Sequence, residues 1–251
     1  MRIDILTLFP EMCDTVTHES IIGRAIKAGY LDIRSHNIRD YTKSKQKRVD
    51  DSTYGGGMGM LMQADPIYEC YRSITEGEEH VHLIYMSPKG KLLTQERATE
   101  LSKLDRFAIL CGHYEGVDQR VIDEIVDEEI SIGDYVLTGG ELPALVLLDT
   151  VSRLVGGVLS DDVCFEDESH FSGLLEYPQY TKPAEWHGKS VPEVLLSGNH
   201  KNINEWRRIQ SLLETKKRRP DLFRKAEITP KERLLLEKAE AEERQNVQTE
   251  D

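Results

Sequence analysis

The chain has few cysteines and none of the patterns in which cysteine usually carries chemistry. Its four cysteines, Cys13, Cys70, Cys111 and Cys164, lie far apart and form no CxxC pair. Such spacing matches neither a zinc site nor a disulfide framework. Reduced thiols in a cytoplasmic protein are therefore the expected state.

Long apolar runs are also absent. No stretch approaches the ~20 consecutive apolar residues that a membrane-spanning helix needs. A strand pattern (Ile3, Ile5, Leu6) follows directly after Met1 and Arg2, where a signal peptide would carry a longer apolar run. Hydrophobic residues make up 39% of the 251 residues and charged residues 31%. These values predict an ordinary globular protein of one or two domains, in the cytoplasm and without a membrane partner.

Fingerprints of several enzyme classes are missing. The glycine-rich segment 54–60 matches neither GxGxxG nor the P-loop, and no GxSxG pattern occurs. These absences argue against a nucleoside-triphosphate enzyme and a serine hydrolase of that type. His80 and His82 share one face of a predicted strand, but no third ligand is apparent, so no metal site is predicted.

Positive charge is scarce overall but unevenly distributed. The net charge of −13 at first argues against a nucleic-acid partner, because phosphates need local positive potential. Basic residues nevertheless collect at 43–48 and 216–219, and residues 173–229 hold 11 Lys and Arg against 7 Asp and Glu. A charge run is most often a solvated face, so these runs favour nucleic-acid binding only weakly.

Strand-like and helix-like stretches alternate through the first 156 residues. The predicted strands are 2–9, 31–38, 81–86, 106–111 and 129–132, and the predicted helices are 12–28, 65–74, 94–104, 118–126 and 141–155. Alternation of this kind predicts an α/β fold with a parallel sheet and helices on both faces. The helix at 141–155 is apolar around most of its circumference, which places it in the core or at a subunit contact.

The pattern stops after this helix, and an acidic stretch with five acids at 161–168 follows. Two helices are predicted beyond it, at 202–218 and from about Thr229, with Pro230 in the first turn. The sequence therefore predicts three parts: an α/β domain at 1–157, a flexible acidic linker at 158–172 and a small, mostly helical domain at 173–251.

Two glycine-bearing loops are the most informative feature of the chain. CGHYEG at 111–116 and SIGDYVLTGGE at 131–141 each follow a short apolar run, as loops that leave strands do. Glycine lets backbone groups approach a flat ligand closely, and open α/β sheets bind ligands at the carboxyl ends of their strands. The loops predict a pocket for a planar small molecule, although two tight turns that need glycine would give the same pattern.

Polar residues near these loops include Ser87, Glu115 and Asp134. Arg153 is informative because an arginine in an apolar helical stretch needs an anionic partner or a ligand. An ion pair with Asp149, one helical turn earlier, explains Arg153 equally well.

Several longer strings point to a known family. They are IDILTLFP at 3–10, YGGG at 54–57, the two glycine loops, GLLEYP at 173–178, VLLSGNH at 194–200 and RRPDL at 218–222. In this order they closely resemble the bacterial tRNA (guanine-N1)-methyltransferases, the TrmD family of SPOUT (trefoil-knot) methyltransferases. The resemblance implies methyl transfer from S-adenosylmethionine to N1 of the guanosine immediately 3′ of the anticodon, position 37 of tRNA. It also implies a trefoil knot in the sheet domain, a tRNA-binding C-terminal domain and a homodimer with its active site between subunits.

The resemblance also assigns site residues by position. It places the cofactor among Tyr85, Met86, Gly112, Glu115, Ile132, Gly133, Asp134, Tyr135, Val136, Leu137 and Gly139. Arg153 matches the family's arginine near the guanine, where a cation holds the negative charge that develops on O6. Whether Mg²⁺ assists the reaction is left open by the sequence.

The general base is the one position where the chain departs from the family. The family has an aspartate there, in the linker, followed by Ser and an aromatic residue, whereas this chain reads EDESHF at 166–171. The positional match implies Glu168 as the base, Asp167 stays open as an alternative by a one-residue slip, and His170 stands where the aromatic residue usually is. The departure leaves two other functions open, a catalytically impaired tRNA-binding homologue and a knotted methyltransferase with another RNA target.

Overall fold

The structure, a computed structural model, describes residues 1–75, 80–159 and 173–249. The chain divides into two compact units, Met1–Asp162 and Val163–Asp251. The first unit contains the strands β1 (Arg2–Thr7), β2 (Asp32–Asn37), β3 (Asp50–Ser52), β4 (Met60–Met62), β5 (Leu83–Leu92), β6 (Arg106–Cys111) and β7 (Glu128–Ser131). Its helices are α1 (Pro10–Thr17), α2 (Ser20–Lys27), α3 (Ala64–Thr75), α4 (Gln95–Leu101), α5 (Gln119–Ile125) and α6 (Glu141–Ser152).

Five of these strands form one parallel sheet in the order β2-β1-β6-β5-β7. The short strands β3 and β4 pair with each other as an antiparallel ribbon. Successive side chains of a strand point to opposite faces, and both faces here are buried. Ile3 and Ile5 pack in one core with residues of α1, α2, α4 and α6, whereas Leu6 packs in the other core with residues of α3 and α5. The predicted α/β fold with helices on both faces of a parallel sheet is confirmed.

The predicted single helix at 12–28 is wrong. The chain forms two helices there, and Glu19 between them is extended, with φ −105° and ψ 165°. A Cβ on Gly23 would lie 2.1 Å from the carbonyl oxygen of His18, so a glycine is needed where the second helix starts against the end of the first. The apolar periodicity runs through both helices and does not register this break.

The second unit contains a hairpin and four helices among its described residues. These are β8 (Glu185–Trp186), β9 (Lys189–Ser190), α7 (Glu193–Leu196), α8 (His200–Arg218), α9 (Pro220–Phe223) and α10 (Pro230–Thr249). Leu174, Ile209, Leu212, Leu213 and Leu236 form its small core. The two long helices lie close to their predicted positions, whereas the hairpin was not predicted.

No helix within the described ranges has both the length and the apolar character needed to cross a membrane.

A buried charge joins three neighbouring strands in the first unit. Asp4 of β1 has no exposed surface. It forms ion pairs with Arg2 (3.0 Å) and Arg106 of β6 (3.1 Å), and His36 Nε2 of β2 lies 2.8 Å from its carboxylate. Burial opposes ionisation of Asp4, but the hydrogen bonds from His36 and Arg2 and the charges of Arg2 and Arg106 outweigh it and lower its pKa. The ionised carboxylate therefore stabilises the folded sheet.

Substitution of Asp4 by Asn should destabilise the first unit by about 3–5 kcal/mol, because it leaves buried cations uncompensated. The control is Asp32→Asn, which removes a half-exposed pair with Arg34 and should cost less than about 1 kcal/mol. Urea denaturation followed by circular dichroism at pH 7 measures both.

The pH dependence follows from the lowered pKa. The contribution of Asp4 to the free energy of unfolding is fully present above the ordinary carboxyl pKa, near 4. It is lost as the pH falls through the lower pKa that Asp4 has in the folded protein. The Asp4→Asn protein should therefore lose less stability between pH 5 and pH 2 than the unsubstituted protein. An equal loss in both proteins would contradict this assignment.

Candidate active site

A cavity of about 360 Å³ lies beside the middle of β5 and at the carboxyl ends of β6 and β7. Three segments line most of it: 85–89, where β5 bulges away from β7, 112–117 after β6, and the chain that follows β7. Open parallel sheets bind ligands at this edge, and β-bulges are common next to such sites. The cavity is therefore where the two glycine loops were predicted to form a pocket.

The two glycine loops contact each other directly through their backbones. The amide of Gly140 donates to the carbonyl oxygen of Gly112 at 2.8 Å. A Cβ on Gly140 would lie 2.7 Å from both Cys111 Cα and Gly112 N, and a Cβ on Gly139 would lie 2.2 Å from His113 Cε1. Since none of these positions has room for a side chain, the glycines are required for the contact that brings the loops together.

Tyr85 fills the space beneath the first loop. Its side chain is largely buried, and a Cβ on Gly112 would lie 2.8 Å from its hydroxyl oxygen. Burial, with a smaller effect from the nearby carboxylate of Glu129, raises the pKa of Tyr85 to about 12. The phenol is therefore neutral at physiological pH and offers the cavity a hydrogen-bond donor.

Glu115 brings the third glycine-rich segment, residues 54–60, to the cavity. The amide of Glu115 donates to the carbonyl oxygen of Met60 at 2.9 Å, and the amide of Met62 donates to that of Gly116 at 2.9 Å. Gly59 has φ +94°, and a Cβ there would lie 2.4 Å from Glu115 Oε1. Sequence reasoning found no role for this segment beyond its match to the family, and the structure places it beside a carboxylate that lines the cavity.

A buried hydrogen-bond network that sequence reasoning missed holds the base of both loops. Glu141, in the first turn of α6, is only 2% exposed. One of its carboxylate oxygens lies 2.6 Å from His113 Nε2, and the other accepts a hydrogen bond from the Thr7 hydroxyl at 2.6 Å. The ring of Phe9 packs against His113, with 4.9 Å between centroids. The only signal in the sequence was an acidic residue at the start of an apolar helix. A carboxylate that is buried there needs a hydrogen-bonding partner.

Most of the predicted cofactor residues line the cavity. They are Tyr85, Met86, Gly112, Glu115, Ile132, Gly133, Tyr135, Val136, Leu137 and Gly139. Asp134 is exposed and is not among the lining residues. Residues that sequence reasoning did not assign to the cofactor also contribute, including Leu61, Lys89, Gln119 and Pro143.

Of the two predicted catalytic residues, Arg153 is the one that lies within the described part of the chain. Arg153 caps the carboxyl end of α6, ten residues beyond Pro143, which corresponds to about 15 Å along the helix axis. It is half-buried there and does not line the cavity of its own chain. Glu168 and the alternative base Asp167 lie outside the described residues, as does His170.

His80 and His82, considered above as metal ligands, have carboxylate partners. His80 Nε2 lies 2.9 Å from Asp127, and His82 Nε2 lies 2.8 Å from Glu128. Burial opposes ionisation of Glu128, but hydrogen bonds from His82 and Arg97 dominate and lower its pKa to about 2. These contacts join the start of β5 to the start of β7 and explain the histidines structurally.

The loop contact predicts a specific effect of adding one methyl group. Gly140→Ala should weaken binding of S-adenosylhomocysteine by about tenfold or more, because an overpacking cost of about 1–3 kcal/mol would push the two loops apart. Gly156→Ala is the matched control, since nothing lies within 4 Å of a Cβ there. Isothermal titration calorimetry measures both affinities, and equal weakening in the two variants would rule out a role for the loop contact.

Comparison with known proteins agrees with the geometry. Residues 1–225 match the family described as tRNA (Guanine-1)-methyltransferase TrmD. A tRNA (guanine-N(1)-)-methyltransferase of Ruminiclostridium cellulolyticum is 62% identical over 226 residues, which cover 90% of this chain and 97% of the relative.

Two further proteins of the same name are similar along most of their length. That of Alkaliphilus oremlandii is 56% identical over 94% of this chain and 98% of its own length, and that of Clostridioides difficile is 52% identical over 90% and 99%. These matches confirm the resemblance inferred from the motifs. The chain therefore belongs to the TrmD family of tRNA (guanine-N1)-methyltransferases.

Proposed function

We propose that this enzyme transfers a methyl group from S-adenosylmethionine to N1 of the guanosine immediately 3′ of the anticodon, position 37 of tRNA. The observation that carries the proposal is the cavity formed by the two touching glycine loops. Its volume of about 360 Å³ falls within the range of small-molecule sites. The adenine base of the cofactor is flat and has a polar edge. It suits a cavity lined by backbone groups of the loops, the Tyr85 phenol and apolar side chains such as Leu137 and Pro143.

The cofactor fits this cavity on chemical grounds as well. The lining contains two carboxylates, Glu115 and Glu129, which complement a ligand that carries a sulfonium and an ammonium group. When bound, the cofactor supplies an electrophilic methyl group whose bond to sulfur breaks as the bond to nitrogen forms. The residues of the chain position the guanine, remove its proton and stabilise the charge that develops.

The proton on N1 of guanine determines what the catalytic residues must do. Neutral guanine is a poor nucleophile at N1, so the proton has to leave as the methyl group arrives. In the proposed mechanism Glu168 accepts this proton, and the guanidinium of Arg153 stabilises the negative charge on O6. Glu168 is preferred over Asp167 because it occupies the position of the family's aspartate.

We propose a homodimer in which Arg153 of one subunit serves the cavity of the other. Within one chain, Arg153 is about 15 Å along α6 from the cavity-lining Pro143, so the site of a single chain is incomplete. The neighbouring helices α1 and α6 also expose apolar side chains, among them Val16, Leu142 and Val146, each between 45% and 51% exposed. An apolar surface of this kind is typical of a subunit contact.

Three further features belong to the same proposal. A trefoil knot in the sheet unit is included because the family resemblance implies it. Residues 158–172 serve as the linker, and the excess of basic residues at 173–229 supports a tRNA-binding role for 173–251. Whether Mg²⁺ assists stays an open part of the proposal, and the expected location of the reaction is the cytoplasm.

The direct test measures transfer of labelled methyl groups to tRNA transcripts. The protein should label a transcript with G at position 37 and not the same transcript with A. Glu168→Gln should reduce the rate by about 10²- to 10⁴-fold, the contribution of a general base, whereas Asp167→Asn should change it little.

Each other outcome has a defined meaning. No label in either transcript would reject the enzyme in favour of a tRNA-binding homologue, and label that survives the change to A would indicate another RNA target. A larger loss in Asp167→Asn than in Glu168→Gln would transfer the role of base to Asp167.

Mixed dimers test the position of Arg153. A heterodimer of an Arg153→Ala subunit and a Gly140→Ala subunit, purified through two different affinity tags, should show about half the activity of the unsubstituted dimer. One of its two sites then combines an intact cavity with the intact Arg153 of the other subunit, whereas both homodimers are impaired. If the heterodimer is no more active than the Arg153→Ala homodimer or the Gly140→Ala homodimer, each site uses the Arg153 and the cavity of the same subunit.

A further inference from the structure

The β8–β9 hairpin of the second unit holds a tryptophan out in solvent. Trp186 is 65% exposed, although tryptophan side chains are highly buried on average. Its ring packs edge-on against the neighbouring His187 ring, with 4.3 Å between centroids. Tryptophan is enriched at binding interfaces, so this exposed indole suits a binding role.

The backbone of the hairpin keeps this tryptophan in a defined position. The two turn residues, His187 and Gly188, both have positive φ, at 52° and 73°. A two-residue turn of this kind matches the natural twist of the paired strands. The ladder continues beyond the strands, since the Val191 amide donates to the Ala184 carbonyl oxygen at 2.8 Å.

The register of the hairpin places a cation beside the aromatic ring. Trp186 pairs directly with Lys189 across the two strands, and Glu185 pairs with Ser190. Directly opposed residues share one face of a sheet, so one face carries the indole and the ammonium group while the other carries the carboxylate and the hydroxyl. An aromatic plane next to a cation is the combination with which proteins hold single-stranded nucleic acids, through base stacking and phosphate contact.

Tyr177, Tyr180 and Trp206 contact residues distant in sequence, whereas the ring partner of Trp186 is its neighbour His187. The guanidinium of Arg207 lies over the Tyr177 ring at 4.9 Å, and the Tyr180 and Trp206 rings lie 6.4 Å apart. Trp186 differs because it sits on a segment, 181–190, that is exposed throughout. Its large exposed surface therefore remains accessible to a partner.

Charge favours RNA over protein as that partner. The segment contains Lys182 and Lys189, and lysine is depleted in protein–protein interfaces. Residues 173–229 hold 11 Lys and Arg against 7 Asp and Glu, in a chain whose net charge is −13. The hairpin therefore lies in a net positive stretch of an acidic chain, and such a stretch suits contact with phosphate.

We propose that Trp186 stacks on an unpaired base of the tRNA substrate while Lys189 contacts a phosphate beside it. The base is unpaired because side chains reach the face of a base only where the strand is unstacked, as in loops. The inference rests on the proposed function, since it takes tRNA as the partner, and it adds a defined contact surface to it.

A single-tryptophan protein tests the contact directly. The chain has two tryptophans, so Trp206→Phe leaves Trp186 as the only indole emitter. Its fluorescence should be quenched as tRNA is added and should saturate at the binding stoichiometry. Trp186→Phe, which retains only Trp206, is the matched control for absorption by the tRNA. No quenching beyond this control at saturating tRNA would overturn the proposal.

Affinity measurements separate stacking from charge. Trp186→Ala should weaken tRNA binding by about 5- to 150-fold, the range for loss of one base–aromatic stack, whereas Trp186→Phe keeps a flat ring and should retain most of the affinity. The salt dependence of binding should stay the same in Trp186→Ala, and its log–log slope should fall by about one in Lys189→Gln. Unchanged tRNA affinity in Trp186→Ala would overturn the proposal.

Failure of this inference can be distinguished from failure of the proposed function. If the unsubstituted protein methylates the G37 transcript and Trp186→Ala binds it normally, only the hairpin contact is rejected. Light scattering measures the mass of the oligomer. If Trp186→Ala changes this mass and leaves tRNA affinity intact, the hairpin contacts a second copy of the chain and the proposal is wrong. Absence of methyl transfer by the unsubstituted protein rejects the proposed function itself.

Discussion

The cavity depends on a contact in which two stretches of backbone touch with no side chain between them. Gly140 approaches Cys111 and Gly112 so closely that a single Cβ would lie 2.7 Å from main-chain atoms. Main-chain atoms in a packed sheet cannot move aside as a flexible side chain can, so the contact fixes the two loops relative to each other. The shape of the ligand site is therefore set by backbone geometry, and the side chains around it supply its polarity.

Polar contacts under the loops reinforce this arrangement. Glu141 joins three elements that are distant in sequence, because its carboxylate meets Thr7 at the end of β1 and His113 in the loop after β6. Its position in the first turn of α6 is favourable for a negative charge, since the amino end of a helix carries partial positive charge. The same residue thus begins the helix, binds one glycine loop and contacts the carboxyl end of β1.

The sequence predicts the parts of this protein that depend on local pattern. The alternation of strand-like and helix-like stretches indicates the five parallel strands, and the glycine loops together with the family motifs indicate most of the cavity lining. The break between α1 and α2 escapes prediction because it depends on the close approach of Gly23 to His18, which periodicity does not register. The network of Glu141 escapes it for a similar reason, because Thr7 and Glu141 are 134 positions apart and meet only in the folded sheet. The separation of Arg153 from the cavity is likewise visible only once the direction of α6 is known.

The buried cysteines have a consequence for the chemical reactivity of the fold. Cys13 and Cys111 lie in the core on one face of the sheet, and Cys70 lies in the core on the other. Burial, together with the carboxylates of Glu141 and Asp14, raises the pKa of the Cys13 thiol to about 12, and burial also raises that of Cys70. Only the thiolate reacts readily with alkylating reagents. All three thiols are therefore unreactive as long as the helices on each face of the sheet cover them. Each face of the sheet therefore contains a thiol whose rate of alkylation measures how often the helices on that face unfold locally.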